Sequence, residues 1–232
     1  MQAARRSPVP LDITVVEPNA EMGRGLAYRG NDPDHRVNGP LFTHSIDPCD
    51  TEHIVRWAGR KALLDTDPQA ACADGVFIRR GEYGRYLHEA VLEHAGANPS
   101  GSRITHRRAR VIGLQVDRQR VEARLDDGKT LQAEASLLAI GNPPARLPAM
   151  LRQIVGHRAL VTEPLIGGRM RELPSDEPVA VMGTSLTAAD VLATLLRQGH
   201  EGPITAFSRR ACARPGSVRP TRKRRPGWPR PG

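Results

Sequence analysis

The sequence predicts an α/β fold that is built on parallel strands and interrupted by a β-meander. Short apolar runs rich in β-branched residues occupy 11–17, 136–141, 178–182 and 203–207, and none of them has a helical period. Such continuous runs are typical of strands in parallel sheets. By contrast, apolar residues alternate with polar ones over about 103–135, which predicts antiparallel strands joined by tight turns.

The first half of the chain opens with a predicted buried parallel strand over 11–17, closed by Pro18, and continues into a glycine-rich segment over 22–28. Asp50 or Thr51 can cap a helix. That helix would carry Ile54, Trp57 and Ala58 on one face. A longer helix is indicated by apolar and aromatic residues spaced three and four apart: Tyr83, Tyr86, Leu87, Ala90, Val91 and His94. Gly96 is expected to end it.

The second half begins with the meander, which turns at 126–129, and then returns to a predicted parallel strand over 136–141. The clearest prediction follows: a strand over 178–182, a tight turn at 183–185, a helix over 186–198 ended by Gly199, and a strand over 203–207. This order predicts one complete βαβ unit.

The net charge of +9 in 232 residues comes from the C-terminus. Residues 209–232 hold nine of the 34 Lys and Arg and no acidic residue, so the remaining 25 basic residues balance the 25 acidic ones. Five prolines and three glycines also fall in 211–232, and this composition predicts a disordered tail. There are two alternatives for this tail: an arm that binds nucleic acid or another anionic surface, and an extension without a role. We favour the second alternative because a single tryptophan, Trp228, offers no stacking platform.

Composition also limits the location and the chemistry. No apolar run is long enough for a membrane span or a signal peptide, so we expect a cytoplasmic protein without a membrane partner. Cys49, Cys72 and Cys212 lie far apart in the sequence, which indicates reduced thiols rather than disulfides or a zinc site. Asp47, Cys49, Asp50 and His53 could be imagined as metal ligands. We expect no metal, because acidic residues and a histidine at a helix start usually serve as caps.

The βαβ unit carries a candidate dinucleotide site and makes the predicted fold Rossmann-like. Gly183, Thr184 and Ser185 occupy the strand-to-helix turn where helix amides meet a pyrophosphate. Ser185 replaces the second glycine of the usual fingerprint, which weakens the match. The following strand leads to Arg209 and Arg210, where arginine can pair with a 2′-phosphate, and this favours NADPH over NADH. Alternatively, these arginines only begin the basic tail.

Glu17 has the complementary chemistry at the end of the first predicted strand. A carboxylate there accepts hydrogen bonds from ribose hydroxyls and repels a 2′-phosphate, which suits the adenosine of FAD or NAD. The glycine turn that normally precedes such an acid would fall before Met1, so we expect the first strand and this turn to be missing. Weak or no FAD binding by this chain alone would follow. Glu17 could also be an ordinary polar strand end.

Five motifs in the same order resemble the FAD-NAD(P)-binding oxidoreductase family, which is similar in layout to flavin-dependent monooxygenases and pyridine nucleotide-disulfide reductases. They lie at 17–28, 35–38, 83–87, 138–144 and 182–190. The resemblance spans about residues 11–210, and it implies a two-dinucleotide-binding flavoprotein fold with FAD on the first domain and NAD(P)H on the second. The chain looks truncated at both ends relative to this family.

The resemblance also assigns roles to individual residues. It implies that Glu17 holds the FAD ribose, that Gly23, Arg24 and Gly25 lie near the cofactor phosphates, and that Asn38 approaches the flavin. Val111 would lie near the adenine and Gly141 would close the FAD domain. Gly183, Thr184, Ser185 and Thr187 would face the nicotinamide nucleotide's pyrophosphate.

From these motifs we expect three segments: an incomplete FAD-binding domain over 1–146 that contains the meander, an NAD(P)-binding βαβ unit over 147–210, and the tail over 211–232. The expected function is that of an FAD-dependent NAD(P)H oxidoreductase. Two points stay open: whether the reaction is monooxygenase-like, and whether this chain is active. Its partners would be a nicotinamide nucleotide and a small-molecule substrate that the sequence does not identify. No catalytic side chain is required, because the cofactors carry the chemistry. The alternative is a non-catalytic nucleotide-binding or interaction module with a basic tail.

Overall fold

The computed structural model describes residues 2–30, 32–141, 146–165 and 168–208. The helices are α1 Gln2–Arg6, α2 His53–Arg60, α3 Leu63–Thr66, α4 Arg80–Gly96 and α5 Leu186–Arg197. The strands are β1 Asp12–Val16, β2 Ala71–Cys72, β3 Gly75–Val76, β4 Arg103–Arg107, β5 Val111–Val116, β6 Val121–Leu125, β7 Thr130–Ala133, β8 Val179–Met182 and β9 Ile204–Phe207. The chain divides into two compact units, unit 1 ending at Arg146 and unit 2 beginning at Leu147.

Unit 1 contains a parallel pair, β1 with β4, in which Asp12 lies opposite Arg103 and Val16 opposite Arg107. The β-branched run therefore forms the parallel strand that its sequence predicts. The expected burial is wrong, however, because the side chains of β1 are half-buried or exposed. A parallel strand is buried where neighbours and covering layers flank it. In the part of the chain that the structure describes, β4 is the only strand paired with β1.

The core of unit 1 is helical and joins α2, α3 and α4 to the loop before α2. Its buried members are Val37, Leu41, Ile54, Trp57, Ala58, Leu63, Ile78 and Tyr86. The predicted apolar face of α2 is thus confirmed, and α4 ends at Gly96 as its sequence predicts. The predicted caps are wrong. Glu52 precedes α2, and Asp50 pairs with Arg56 instead.

The meander is confirmed, but it is shorter than predicted. It consists of β5, β6 and β7, which pair antiparallel in that order. Residues 103–107, which we expected at its start, form β4 and pair with β1 instead. Alternation of apolar and polar residues does not distinguish a strand of the antiparallel meander from a strand that pairs in parallel with β1, because any strand with one exposed face shows it.

The predicted strand over 136–141 is wrong: the structure has no strand there. Leu137 and Ile140 are 91% and 85% exposed. An apolar run becomes a strand only where a neighbouring strand accepts its backbone hydrogen bonds. Within the described ranges, no strand pairs with this segment.

Unit 2 contains the predicted βαβ arrangement. β8 and β9 pair in parallel, with Val179 opposite Ile204, and α5 connects them. The buried face of α5 packs with β8 in a small core, whose members are Met170, Val181, Ala188, Val191 and Leu195. The α/β fold with parallel pairs is therefore confirmed. None of the helices in the described ranges combines the length and apolar character that a membrane crossing requires.

Candidate nucleotide-binding sites

Glu17 lies at the carboxyl edge of the β1–β4 pair. Its backbone N–H donates to the carbonyl oxygen of Arg107 at 3.1 Å, which extends the pairing one residue past Val16. The side chain of His106 contacts the Glu17 carbonyl oxygen at 2.9 Å. Ligands of parallel α/β sheets bind at this edge of the strands, so the position of Glu17 suits a ligand contact.

The two carboxylate oxygens of Glu17 have different surroundings. Oε1 accepts hydrogen bonds from the backbone N–H of Asn19 at 2.9 Å and from the Asn19 side-chain amide, and it lies 3.8 Å from a guanidinium nitrogen of Arg29. Oε2 has no partner among the described residues, and the side chain is 24% exposed. One carboxylate oxygen therefore remains available as an acceptor for a ribose hydroxyl. Asn19 and Arg29 were not identified from the sequence, since no local motif marks them.

The glycine-rich loop after β1 packs against α4. At Gly84 of α4, an added Cβ would lie 2.2 Å from the carbonyl oxygen of Tyr28, so the close approach requires glycine. Gly23 has a φ of +85° and fits against Val91 in the same helix. Gly25 also has a positive φ, +59°, at a place where no atom lies within 4 Å of a Cβ position.

Arg24 is held inside this loop. Its side chain is 13% exposed, donates to the carbonyl oxygens of Tyr28 at 3.3 Å and Gly81 at 3.1 Å, and pairs with Glu21. These contacts fix the loop to the first turn of α4. The expected role of Gly23, Arg24 and Gly25 beside the cofactor phosphates remains a prediction.

Asn38 is exposed and directly precedes Gly39 in the sequence. Its neighbour Gly39 approaches the ring of His44, and that ring lies 5.3 Å from the ring of Tyr83. Tyr28 also contacts Tyr83, with ring centroids 4.6 Å apart. Burial raises the pKa of Tyr83 to about 12, so its hydroxyl stays protonated at neutral pH. His44, Tyr83 and Tyr28 thus form a series of ring contacts that begins beside Gly39, the residue after Asn38.

Tyr86 is a core residue, and its hydroxyl is used internally. The side chain is fully buried, its oxygen accepts a hydrogen bond from the backbone N–H of Ile46 at 3.2 Å, and it lies 2.8 Å from His53 Nδ1. Burial raises the pKa of this tyrosine as well. The contact with His53 links α4 to α2, and no local pattern predicts it because the two residues are 33 positions apart.

Two further predicted residues mark the ends of segments in unit 1. Val111 begins β5 and is 40% exposed. Gly141 has a φ of +68° and follows the unpaired apolar segment. Neither residue is near Glu17 in sequence, and their expected roles at the adenine and at the end of the FAD domain remain predictions.

The turn between β8 and α5 forms the second candidate site. The Gly183 N–H donates to the carbonyl oxygen of Phe207 at 2.8 Å, and its φ of +118° turns the chain into the helix. No described atom lies within 4 Å of a Cβ position on Gly183, so the turn is open. Ser185 is the N-cap residue, and both Ser185 and Thr187 are exposed.

The electrostatics of this helix start favour an anion. The first backbone N–H groups of an α-helix have no acceptor within the helix, and the helix dipole is positive there. The first turn of α5 contains no acidic residue that would compete. Thr184 lies in the same turn. Arg209, the candidate 2′-phosphate contact, lies outside the described residues, as do Arg210 and the tail over 211–232.

The residues weighed as metal ligands do not form a metal site in the described part of the chain, where no group of three or more such side chains is suitably placed. Asp47 pairs with Arg5. Asp47, Asp50 and His53 line a cavity of about 280 Å³. Cys49 and Cys72 are free thiols.

A comparison with protein families decides the classification of the chain. The model of a family described as FAD-NAD(P)-binding matches residues 1–143. The chain belongs to the FAD-NAD(P)-binding family. The resemblance seen in its motifs is thereby confirmed.

Solved structures share the fold of this FAD-NAD(P)-binding protein. One is the cadaverine monooxygenase DfoA of Erwinia amylovora bound to FAD, with a TM-score of 0.58 and 20% identity over 88% of this chain and 46% of that chain. Another is the ornithine hydroxylase PvdA of Pseudomonas aeruginosa, with a TM-score of 0.55 and 16% identity over 84% of this chain and 47% of that chain. The chain therefore spans just under half the length of both proteins. A search of curated proteins gave no significant match.

Proposed function

We propose that this chain provides the nucleotide-binding part of an FAD-dependent NAD(P)H oxidoreductase. The observation that carries the proposal is Glu17: it lies at the carboxyl edge of a parallel strand pair and keeps one carboxylate oxygen available. Membership in an FAD-NAD(P)-binding family supports adenosine as the group that this oxygen recognises. DfoA and PvdA, which share the fold, carry out monooxygenase and hydroxylase reactions.

In this proposal the two units have separate tasks. Residues 1–146 contribute the adenosine end of an FAD site, in which the Glu17 carboxylate accepts a hydrogen bond from the ribose. Residues 147–210 bind the nicotinamide nucleotide at the start of α5, where Thr184, Ser185 and Thr187 supply hydroxyls beside free helix amides. Arg209 would select NADPH over NADH by pairing with the 2′-phosphate. The tail over 211–232 has no part in this function.

The chain's residues bind and orient, whereas the bound cofactors would supply the chemistry: a flavin accepts hydride from the nicotinamide and passes electrons onward. The exposed Asn38 and the packed rings of Tyr28 and Tyr83 suit one edge of a flavin site. With a pKa near 12, Tyr83 can donate a hydrogen bond without itself ionising. No described side chain needs to act as a nucleophile.

Replacing Glu17 tests the proposal directly. The full chain is titrated with FAD, and bound flavin is measured by gel filtration and flavin fluorescence. Glu17→Gln keeps the shape of the side chain and removes its charge, so it should weaken binding about tenfold, the loss typical of one hydrogen bond to a charged group. Glu122→Gln, a half-buried residue of β6, is the matched control and should have no effect. Equal FAD affinity of the Glu17 variant and the wild type would contradict the proposed ribose contact.

A non-catalytic nucleotide-binding module is the second candidate, and the open start of α5 alone would suffice for it. Anaerobic mixing with FAD and NADPH distinguishes the two. An oxidoreductase should bleach the visible absorbance of bound flavin. A module would bind the nicotinamide nucleotide and leave that absorbance unchanged.

A further inference from the structure

Two arginines lie in residues 17–30 of the loop after β1, and their surroundings differ. Arg24 is 13% exposed, and its guanidinium contacts two carbonyl oxygens and the carboxylate of Glu21. Its donors are therefore used to hold the loop on α4. A ligand could recruit Arg24 only by breaking these contacts.

Arg29, by contrast, is 40% exposed and has one contact among the described residues. That contact is the ion pair with Glu17, at 3.8 Å between nitrogen and oxygen, which is longer than a hydrogen bond. A guanidinium carries five N–H donors in a planar fork. Most of the donors of Arg29 are thus available to an anion that binds beside Glu17.

The other arginines at this edge have different partners. Arg107, at the end of β4, pairs with Asp127 in the β6–β7 turn. Arg108 donates from Nε to the carbonyl oxygen of Pro18 at 3.3 Å. In the described part of the chain, Arg29 is the arginine that pairs with the Glu17 carboxylate.

We propose that Arg29 is the phosphate-binding residue of the Glu17 site. It contacts a phosphate of the adenine nucleotide whose ribose hydroxyl is held by Glu17, and this inference rests on the proposed function. A carboxylate alone repels a phosphate, whereas a guanidinium next to it offsets that charge and can bind phosphate oxygens through two parallel N–H donors. The pair therefore recognises a nucleotide in preference to a nucleoside.

The test compares three ligands on the full chain by calorimetric titration: adenosine, AMP and FAD. The wild type should bind AMP more tightly than adenosine. Arg29→Gln should weaken the binding of AMP and FAD about tenfold and should leave the affinity for adenosine unchanged. A tenfold loss is at the lower end of the range for a charge-assisted hydrogen bond, because Arg29 is partly exposed. Arg29→Lys should restore part of the loss because it keeps the charge without the fork.

Arg120→Gln is the matched control, because it removes the same charge from the β5–β6 turn. The other turn of the meander, β6–β7, is the one that contacts β4, through the pair of Asp127 with Arg107. The AMP affinity of the Arg120 variant should equal that of the wild type. Circular dichroism and thermal melting check that each variant is folded.

Unchanged AMP binding by Arg29→Gln would overturn the inference while leaving the proposed function intact. An equal loss for adenosine and AMP would also overturn it, since Arg29 would then act only by positioning Glu17. If the wild type bound none of the three ligands, the proposed function would fail, and the inference would fail with it.

Discussion

Replacing Gly84 with alanine would force apart the loop and the helix that meet in unit 1. The new Cβ would lie 2.2 Å from the Tyr28 carbonyl oxygen and 2.7 Å from Arg24 Nε, whereas ordinary contacts begin at 3.4 Å. The loop must therefore move by more than 1 Å, which also loosens the hydrogen bonds that Arg24 makes to it and to Gly81. Overpacking typically costs about 1–3 kcal/mol. The higher helix propensity of alanine returns roughly 0.5–1 kcal/mol.

We expect Gly84→Ala to lower the free energy of unfolding by about 2 kcal/mol, the overpacking and lost hydrogen bonds less the propensity gain. Urea unfolding followed by Trp57 fluorescence measures this in a Trp228→Phe background, because Trp57 is 3% exposed and lies in unit 1. Gly96→Ala in the same helix is the control: no atom lies within 4 Å of its Cβ position, so it should be neutral or slightly stabilising. A Gly84→Ala protein as stable as the wild type would refute the close packing of loop and helix.

Three other predictions concern burial. Tyr83 should ionise near pH 12 in a spectroscopic titration. Because folding raises the pKa of Tyr83, its contribution to the free energy of unfolding is complete below pH 10, the pKa of an unburied tyrosine, and is lost as the pH rises through about 12. Tyr86→Phe should lower the free energy of unfolding, measured in urea, by about 1–2 kcal/mol, because the Ile46 N–H and His53 lose their partner. An unchanged free energy of unfolding would contradict these hydrogen bonds. Leu195→Ala should destabilise unit 2 by about 2–5 kcal/mol, measured by hydrogen exchange in α5, because Leu195 is 1% exposed.

Local sequence pattern was sufficient to predict the structure where the interacting residues lie close together in the sequence. The βαβ unit of unit 2 follows from two apolar runs, a helical period and Gly183, because a parallel strand pair requires a crossover of this kind. Glu17 was also placed at a strand end by the run that precedes it. In both cases the deciding residues lie within about 30 positions of one another.

The errors have a common physical origin, which is strand pairing between distant segments. Residues 103–107 alternate like the meander that follows, yet they pair with β1, which lies 91 positions earlier. Residues 136–141 have the composition of a buried strand, yet in the described ranges no strand pairs with them. Composition states what a segment can form, whereas the neighbour that accepts its hydrogen bonds is a property of the whole fold.

The chemistry of the Glu17 site depends on the same kind of distant contact. Arg24 and Arg29 are both basic residues of the loop that follows β1, and of the two only Arg24 belongs to a motif that points to the cofactor phosphates. Gly84, far along the chain, lets the loop lie directly on α4, and this contact buries Arg24 and uses its donors. A side chain at position 84 would lift the loop and release Arg24, so a second guanidinium could then compete for a phosphate. In the proposed site, the preference for Arg29 over Arg24 would therefore depend on Gly84, a residue of α4 rather than of the loop. Gly84→Ala should accordingly reduce the effect of Arg29→Gln on AMP affinity, which a double-mutant cycle would measure.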